Sequence, residues 1–139
     1  MLNYPITLHP DSNGTLLVGF PDIPCANSVG ENREDALANA LEALEAAIEL
    51  YWETGQPVPL PGSDVDTNDA VSLPALASAK VLLWNDMLGQ QVSKTELARL
   101  LNEPAARIDS LFDLADTRPA DLVEIAAQRL RERALSRQA

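Results

Sequence analysis

Lys94, Arg99, Arg107 and Arg118 are the only cations between Ser93 and Pro119, and Thr95, Pro104, Ala105, Ala106, Asp109 and Ser110 stand among them. Side chains of these types hold nucleic acid. Lys94, Thr95, Arg99 and Arg118 suit phosphate oxygens, while alanine methyls can meet thymine methyls and a serine can bond a base or a phosphate. Arginine is the commonest bidentate reader of guanine, and in the set 104–110 only Arg107 can act so. As base readers the set is sparse, so any affinity for DNA would rest on phosphate contacts.

Catalytic chemistry finds less support. Metal-dependent phosphodiester cleavage needs several carboxylates converging from strand and helix. Asp11 falls in a turn and Asp22 beside two prolines, and the predicted strands supply no acid. His9 is the sole histidine, on a strand's polar face, with no spacing for zinc or a triad. Cys25, the one cysteine, reads as a small buried apolar residue. No glycine-rich phosphate loop exists. The expectation is a protein without catalytic residues, metal or cofactor.

The elements that must position the cations follow from apolar spacing. Ser93 and Glu96 form a capping box, and Leu97, Ala98, Leu100 and Leu101 give a first helix its buried side. Asn102 and Glu103 break it. Pro104 starts a second helix whose Ile108, Leu111 and Phe112 face the first. Ala98 permits close approach, and Asn102 reaches the left-handed conformation more readily than most residues. This is the pattern of a helix-turn-helix, in which the second helix enters the major groove. A plain helical hairpin has the same spacing, and the bases then serve solubility.

Charge divides the 139-residue chain, whose net charge is -11. Residues 1–70 hold twelve of the 21 acids and one base, Arg33, whereas residues 71–139 hold nine acids and nine bases. An acidic half repels nucleic acid and attracts basic surfaces, so the halves should serve different partners. A single cysteine, no signal peptide ahead of Tyr4 and no membrane-length apolar run point to a cytoplasmic protein.

In the acidic half, Leu2, Tyr4, Ile6 and Leu8 alternate with polar residues as a half-buried strand does, with Pro5 marking an edge or bulge. The turn at 10–14 leads into a second antiparallel strand over 15–20, and 25–29 makes a short third strand ended by Gly30. Asn32 and Asp35 cap a long helix with Leu37, Leu41, Leu44, Ile48, Tyr51 and Trp52 on one face and Glu42, Glu45, Glu49 and Glu53 on the other. Gly55 stops it. Residues 56–69 read as a linker, proline-spaced and then polar and mobile, and 70–73 as a fourth strand. Pro74 opens a helix through Leu88 that is more apolar than one buried face needs, which suggests packing on a second copy. A last amphipathic helix runs from Pro119 to Ala134.

The runs Tyr4-Pro5-Ile6-Thr7-Leu8, Val18-Gly19-Phe20-Pro21-Asp22-Ile23-Pro24, the alanine-rich acidic helix 32–44 and Pro57-Val58-Pro59-Leu60-Pro61 resemble the HicB antitoxins of HicA–HicB toxin–antitoxin modules, in order and spacing, over residues 1 to about 75. The second half resembles the family's helix-turn-helix class. The resemblance implies an α+β protein: a partial ribonuclease-H-like first domain over 1–73, with three antiparallel strands, a long helix and a short fourth strand, and an all-α helix-turn-helix domain over 74–139. It implies no enzyme activity. The first domain would bind a HicA-type toxin, a small basic ribonuclease, with Asp22, Glu42, Glu45, Glu49 and Glu53 as candidate contacts; by themselves these glutamates read as a solvated face. The second domain would bind operator DNA as a homodimer or higher homo-oligomer and repress the operon. The alternative is a helix-turn-helix regulator whose first half senses a small ligand. A basic reading frame beside this one would favour the antitoxin.

Overall fold

The computed structural model of the protein describes residues 1–62 and 69–138. Its elements are β1 (Asn3–Pro5), β2 (Thr7–Pro10), β3 (Leu16–Gly19), β4 (Asn27–Gly30), α1 (Arg33–Glu53), β5 (Ala70–Ser72), α2 (Ala75–Gly89), α3 (Lys94–Leu101), α4 (Ala105–Ser110) and α5 (Ala120–Gln138). They form two compact units, one of Met1–Tyr51 with Pro59–Ala75, the other of Trp52–Val58 with Leu76–Ala139.

In the first unit the expected opening strand is broken. β1 pairs antiparallel with β5, Tyr4 opposite Val71, while β2 pairs with β3, Leu8 opposite Val18. Pro5, at the end of β1, has no N–H to continue a ladder. Ile6 lies between the strands and donates its N–H to the Asp69 carbonyl at 3.0 Å. The period-2 pattern survives the break, since Tyr4 and Ile6 are both fully buried. Tyr4 donates its hydroxyl to the Pro59 carbonyl at 2.8 Å, and burial, aided by the nearby Asp22 charge, pushes its phenol up to about 12.

β3 also pairs antiparallel with β4, which starts at Asn27 rather than Cys25. Two successive turns precede it: Ile23 donates to the Phe20 carbonyl and Ala26 to that of Ile23. These turns aim Phe20, Ile23 and Ala26 inward and leave Cys25 exposed, against the expectation that it is buried. Its Sγ lies 3.9 Å from the Tyr51 hydroxyl.

Asn32 caps α1, accepting from the Asp35 N–H at 2.8 Å, while the Asp35 carboxylate accepts from the Glu31 N–H at 3.0 Å. The face α1 buries is narrower in side chains than its leucines suggest. Ala36, Ala40, Leu44, Ala47 and Ile48 are buried, whereas Leu37, Leu41 and Tyr51 are only half-buried. Small residues bring the helix backbone close to β4. A Cβ placed on Gly30 would stand 2.3 Å from the Ala36 nitrogen and 2.4 Å from its Cα. Gly30 therefore does more than end a strand, because this contact exists only without a side chain.

The second unit is helical around Leu83, Met87, Val92, Leu97, Ile108, Leu111, Leu122, Val123, Ala126 and Leu130. This core absorbs most of the apolar excess of α2, and only Leu82 on that helix is a large exposed hydrophobic. α2 ends in a Schellman motif: Gln91 is left-handed at φ 58°, with Val92 N–H on the Met87 carbonyl and Gln91 N–H on that of Leu88. Gln56 and Val58, read as the start of a linker, are held by α2. Trp84 Nε1 donates to the Gln56 carbonyl at 2.8 Å, and the Asn85 amide bonds both the N–H and the carbonyl of Val58 at 2.8 Å. Of the polar stretch 64–69, all but Asp69 lies outside the described residues. α5 continues past the expected Ala134 to Gln138.

Lys80 is the unexpected member of this unit. It is 1% exposed, and its Nζ donates to the carbonyls of Ser110 at 3.2 Å, Asp113 at 2.7 Å and Asp116 at 2.6 Å. Burial lowers its pKa, and the Asp116 and Asp113 charges act against that.

Two substitutions probe these contacts by urea denaturation. Gly30→Ala should cost about 2–3 kcal/mol, since backbone rather than a flexible side chain must give way. Lys80→Met fills a similar volume but takes the donor from three carbonyls that converge on a buried ammonium, so about 3 kcal/mol should be lost; an unchanged midpoint would show that water satisfies them.

Candidate functional site

The candidate DNA-contact residues lie on α3, α4 and the loop that follows. Ser93 caps α3 by accepting from the Glu96 N–H at 3.1 Å, while the Glu96 carboxylate lies 3.8 Å from Arg133. Asn102 ends α3 in the left-handed region at φ 53°, ψ 47°, and Glu103 N–H closes on the Ala98 carbonyl at 3.0 Å. Pro104, at φ -70° and ψ 155°, turns the chain into α4 without a side-chain cap. α4 is shorter than its apolar spacing suggests and stops at Ser110, where Leu111 and Phe112 continue as tight turns onto the carbonyls of Ile108 and Asp109.

This geometry exposes Pro104, Ala105, Ala106, Arg107 and Asp109 on one short helix and buries Ile108 beneath them. Ser110 is half-buried, and its hydroxyl donates to the Arg107 carbonyl at 2.6 Å, an engagement that competes with base contact. Arg107, Ser110 and Arg118 come together with Ala106, Asp116 and Pro119 around one open cleft of about 390 Å³. Lys94 lies across from Asp109 at 3.8 Å, with its Nζ 5.5 Å from the Phe112 ring centroid. Thr95 is exposed beside it. Arg99, also exposed, stands five residues on and so about 140° around the helix from Lys94. It does not join the cluster.

Three of these cations already have carboxylate partners. Arg107 Nη1 bonds Glu103 at 3.0 Å, Lys94 faces Asp109, and Arg118 grips Asp116 through two nitrogens at 3.0 and 2.8 Å. The Arg118 hydrogen bonds hold the Asp116 carboxyl well below the usual carboxylate range. Any phosphate in this cleft must displace or share these carboxylates, which moderates attraction and penalises poorly placed anions.

Two features that support this surface escaped sequence reasoning. Phe112 sits edge-on to Trp84 at 5.2 Å and to Trp52 at 5.8 Å, under Lys94. Lys80 ties α2 to the end of α4 and the loop before Arg118. The available signal was Lys80 itself, a lone cation on an apolar helix three residues after Ala77 and four before Trp84, hence in core register.

Along α1, Glu42, Glu49 and Glu53 are exposed and Glu45 is half-buried, all on one stripe of the helix, and none has an ion pair among the described residues. The first unit's one base, Arg33, is bonded to Asp69. Asp22 does not share the exposure of the glutamates: it is half-buried close to Tyr4, and its Oδ2 is buried without a hydrogen-bond partner. Among the described residues no group of three or more histidine, cysteine or acidic side chains is placed to hold a metal ion, and no helix is long and apolar enough to cross a membrane.

Comparison with known proteins places this arrangement. The family described as HicB-like antitoxin of bacterial toxin–antitoxin system matches residues 3–82. Antitoxin HicB 1 of Photorhabdus laumondii is 38% identical over 122 residues, covering 88% of this chain and 77% of its own length. Antitoxin HicB of Escherichia coli K12 is 35% identical over 129 residues, 93% of this chain and 94% of that protein. Antitoxin HicB of Pseudomonas fluorescens is 35% identical over 136 residues, 97% and 92% of the two chains. The similarity thus extends past the family match at residue 82 and through most of the second unit. With two-unit architecture, acidic first unit and full-length relatives in agreement, the chain belongs to the HicB-like antitoxin family and is an antitoxin, not an enzyme.

Proposed function

We propose that residues 1–73 bind and silence a small basic ribonuclease of the HicA type, and that residues 74–139 form a dimeric helix-turn-helix domain that represses the antitoxin's own operon in the cytoplasm. The observation that carries the first part is the charge split, twelve acids to one base in residues 1–70. An RNA-cutting surface is positive to hold phosphates, and an acidic cover competes for it. The stripe Glu42, Glu45, Glu49 and Glu53 fits this role because its like charges at i, i+4 disfavour the free helix by a few tenths of a kcal/mol per pair, a cost that a basic partner removes. Asp22 is the weaker candidate, being half-buried. We read the first unit as the partial ribonuclease-H-like fold, its three antiparallel strands, long helix and β5 serving as a scaffold.

For the second part, the left-handed Asn102 between α3 and α4, the buried Ile108 and the exposed 104–107 segment support a reading helix presented to the major groove. Lys94, Thr95 and Arg118 then contact phosphate near it, and Arg99 touches the backbone farther along. Base readout falls to Arg107, with Ala105 and Ala106 against thymine methyls, while Asp109 and Ser110 contribute little: one is paired with Lys94, the other bonded to its own helix.

Co-expression with a HicA-type toxin tests neutralisation. Reversing Glu42, Glu45, Glu49 and Glu53 to lysine should abolish protection from growth arrest while the purified protein keeps its circular dichroism and operator binding; full protection by the folded variant would remove the stripe from the toxin interface. DNA reading is tested by isotherms at two salt concentrations on operator and random DNA. Lys94→Ala and Arg118→Ala should weaken both similarly and reduce the salt dependence, whereas Arg107→Ala should cost on the order of 1–3 kcal/mol on operator alone. An unchanged operator-to-random ratio in Arg107→Ala would shift specificity to DNA shape or methyl contacts.

A further inference from the structure

The ion pairs on the candidate DNA face differ in which partner the protein holds. Lys94 and Asp109 are both open to water, their side chains 47% and 71% exposed, and their contact is long at 3.8 Å. Arg118 and Asp116 are divided sharply: the arginine side chain is 88% exposed and the aspartate side chain 12%. Asp116 is fixed through its main chain as well. Its carbonyl accepts from the buried Lys80 ammonium at 2.6 Å, its N–H closes on the Asp113 carbonyl at 3.2 Å, and its Oδ1 accepts the Arg118 main-chain N–H at 3.0 Å. From this seat the carboxylate takes one edge of the guanidinium, Oδ1 from Nε at 3.0 Å and Oδ2 from Nη2 at 2.8 Å.

A guanidinium carries its donors in a rigid fork, and a grip on the Nε–Nη2 edge leaves the Nη1–Nη2 edge unused. Nη1 of Arg118 has no partner among the described residues, and Arg118 and Asp116 both line the cleft they share with Arg107 and Ser110. We infer that Asp116 is a positioning residue for DNA: it holds Arg118 so that the outer edge of the guanidinium meets a phosphate, and shares the arginine with that phosphate instead of competing for it. Bidentate recognition of phosphate depends on the direction of the fork as well as on its charge. A long exposed side chain ordered only by the phosphate loses rotamer freedom on binding, and Asp116 removes that loss in advance. The inference rests on the DNA reading above and reverses the sign expected of one acid in it. Asp109 only offsets a cation, so two acids on one face act in opposite directions.

Binding isotherms of the full chain on a random-sequence DNA duplex at two salt concentrations test it. Removing an acid from a DNA-binding face ordinarily strengthens binding, and Asp109→Asn should do so by about twofold. Asp116→Asn makes the same change of charge, yet should weaken binding about threefold or more and lower the salt slope by about one, as Arg118→Ala does. Added to Arg118→Ala, it should weaken binding no further, because its effect passes through that arginine. Arg118→Lys keeps the charge without the second edge and should weaken binding too. A folded Asp116→Asn that binds as tightly as the parent, or tighter, makes Asp116 an ordinary competitor and overturns this inference while the DNA reading stands. Parent-like affinity of Arg118→Lys does the same even if Asp116→Asn fails to fold by circular dichroism. A parent that binds no duplex at low salt overturns the DNA reading and this inference together.

Discussion

The second unit depends on one buried ammonium. α4 has six residues, too short to be stable by its own hydrogen bonds, and the chain from Leu111 to Arg118 has no regular structure to hold it. Lys80 supplies what helix propensity cannot. By donating to the carbonyls of Ser110, Asp113 and Asp116 it closes the end of α4, orders the loop beyond and fixes both to α2. A positive charge at a helix C-terminus is also favoured by the helix dipole. The desolvation of that charge is offset only because all three donors of the ammonium are engaged, so the arrangement tolerates no partial version of itself.

Much of the local structure was legible in the residues. The hairpin turn, the Asn32 and Ser93 caps, the left-handed Asn102 and the order of elements rest on chemistry within a few positions of itself. What was not legible depends on distant partners. The break after Pro5 comes from pairing with a strand about 65 residues away, and Gln56 and Val58 look like a linker until Trp84 and Asn85 bind them. Alanines rather than leucines occupy the centre of the α1 contact because the neighbouring backbone is so close. Cys25 faces out because the turns before β4 set its direction.

The candidate site was legible in composition and less so in energetics. Residue types located the cations on α3, α4 and the loop, but not that Glu103, Asp109 and Asp116 already engage three of them, nor that Ser110 bonds its own helix. The two units therefore handle charge in opposite ways. The first leaves its glutamate stripe unpaired, which favours a partner bearing many cations. The second nearly balances its cations, which lowers non-specific attraction to polyanions and makes correct geometry matter more.

The contact between Gly30 and α1 bears on how this lineage can vary. Most tight contacts in a core can be relieved from either side, because a neighbour can shrink when one residue grows. Here the obstructing atoms are the nitrogen and Cα of Ala36, which every amino acid possesses. No second-site replacement at 36 makes room at 30, so any descendant that keeps this helix against this strand keeps the glycine, however far the rest of its sequence drifts.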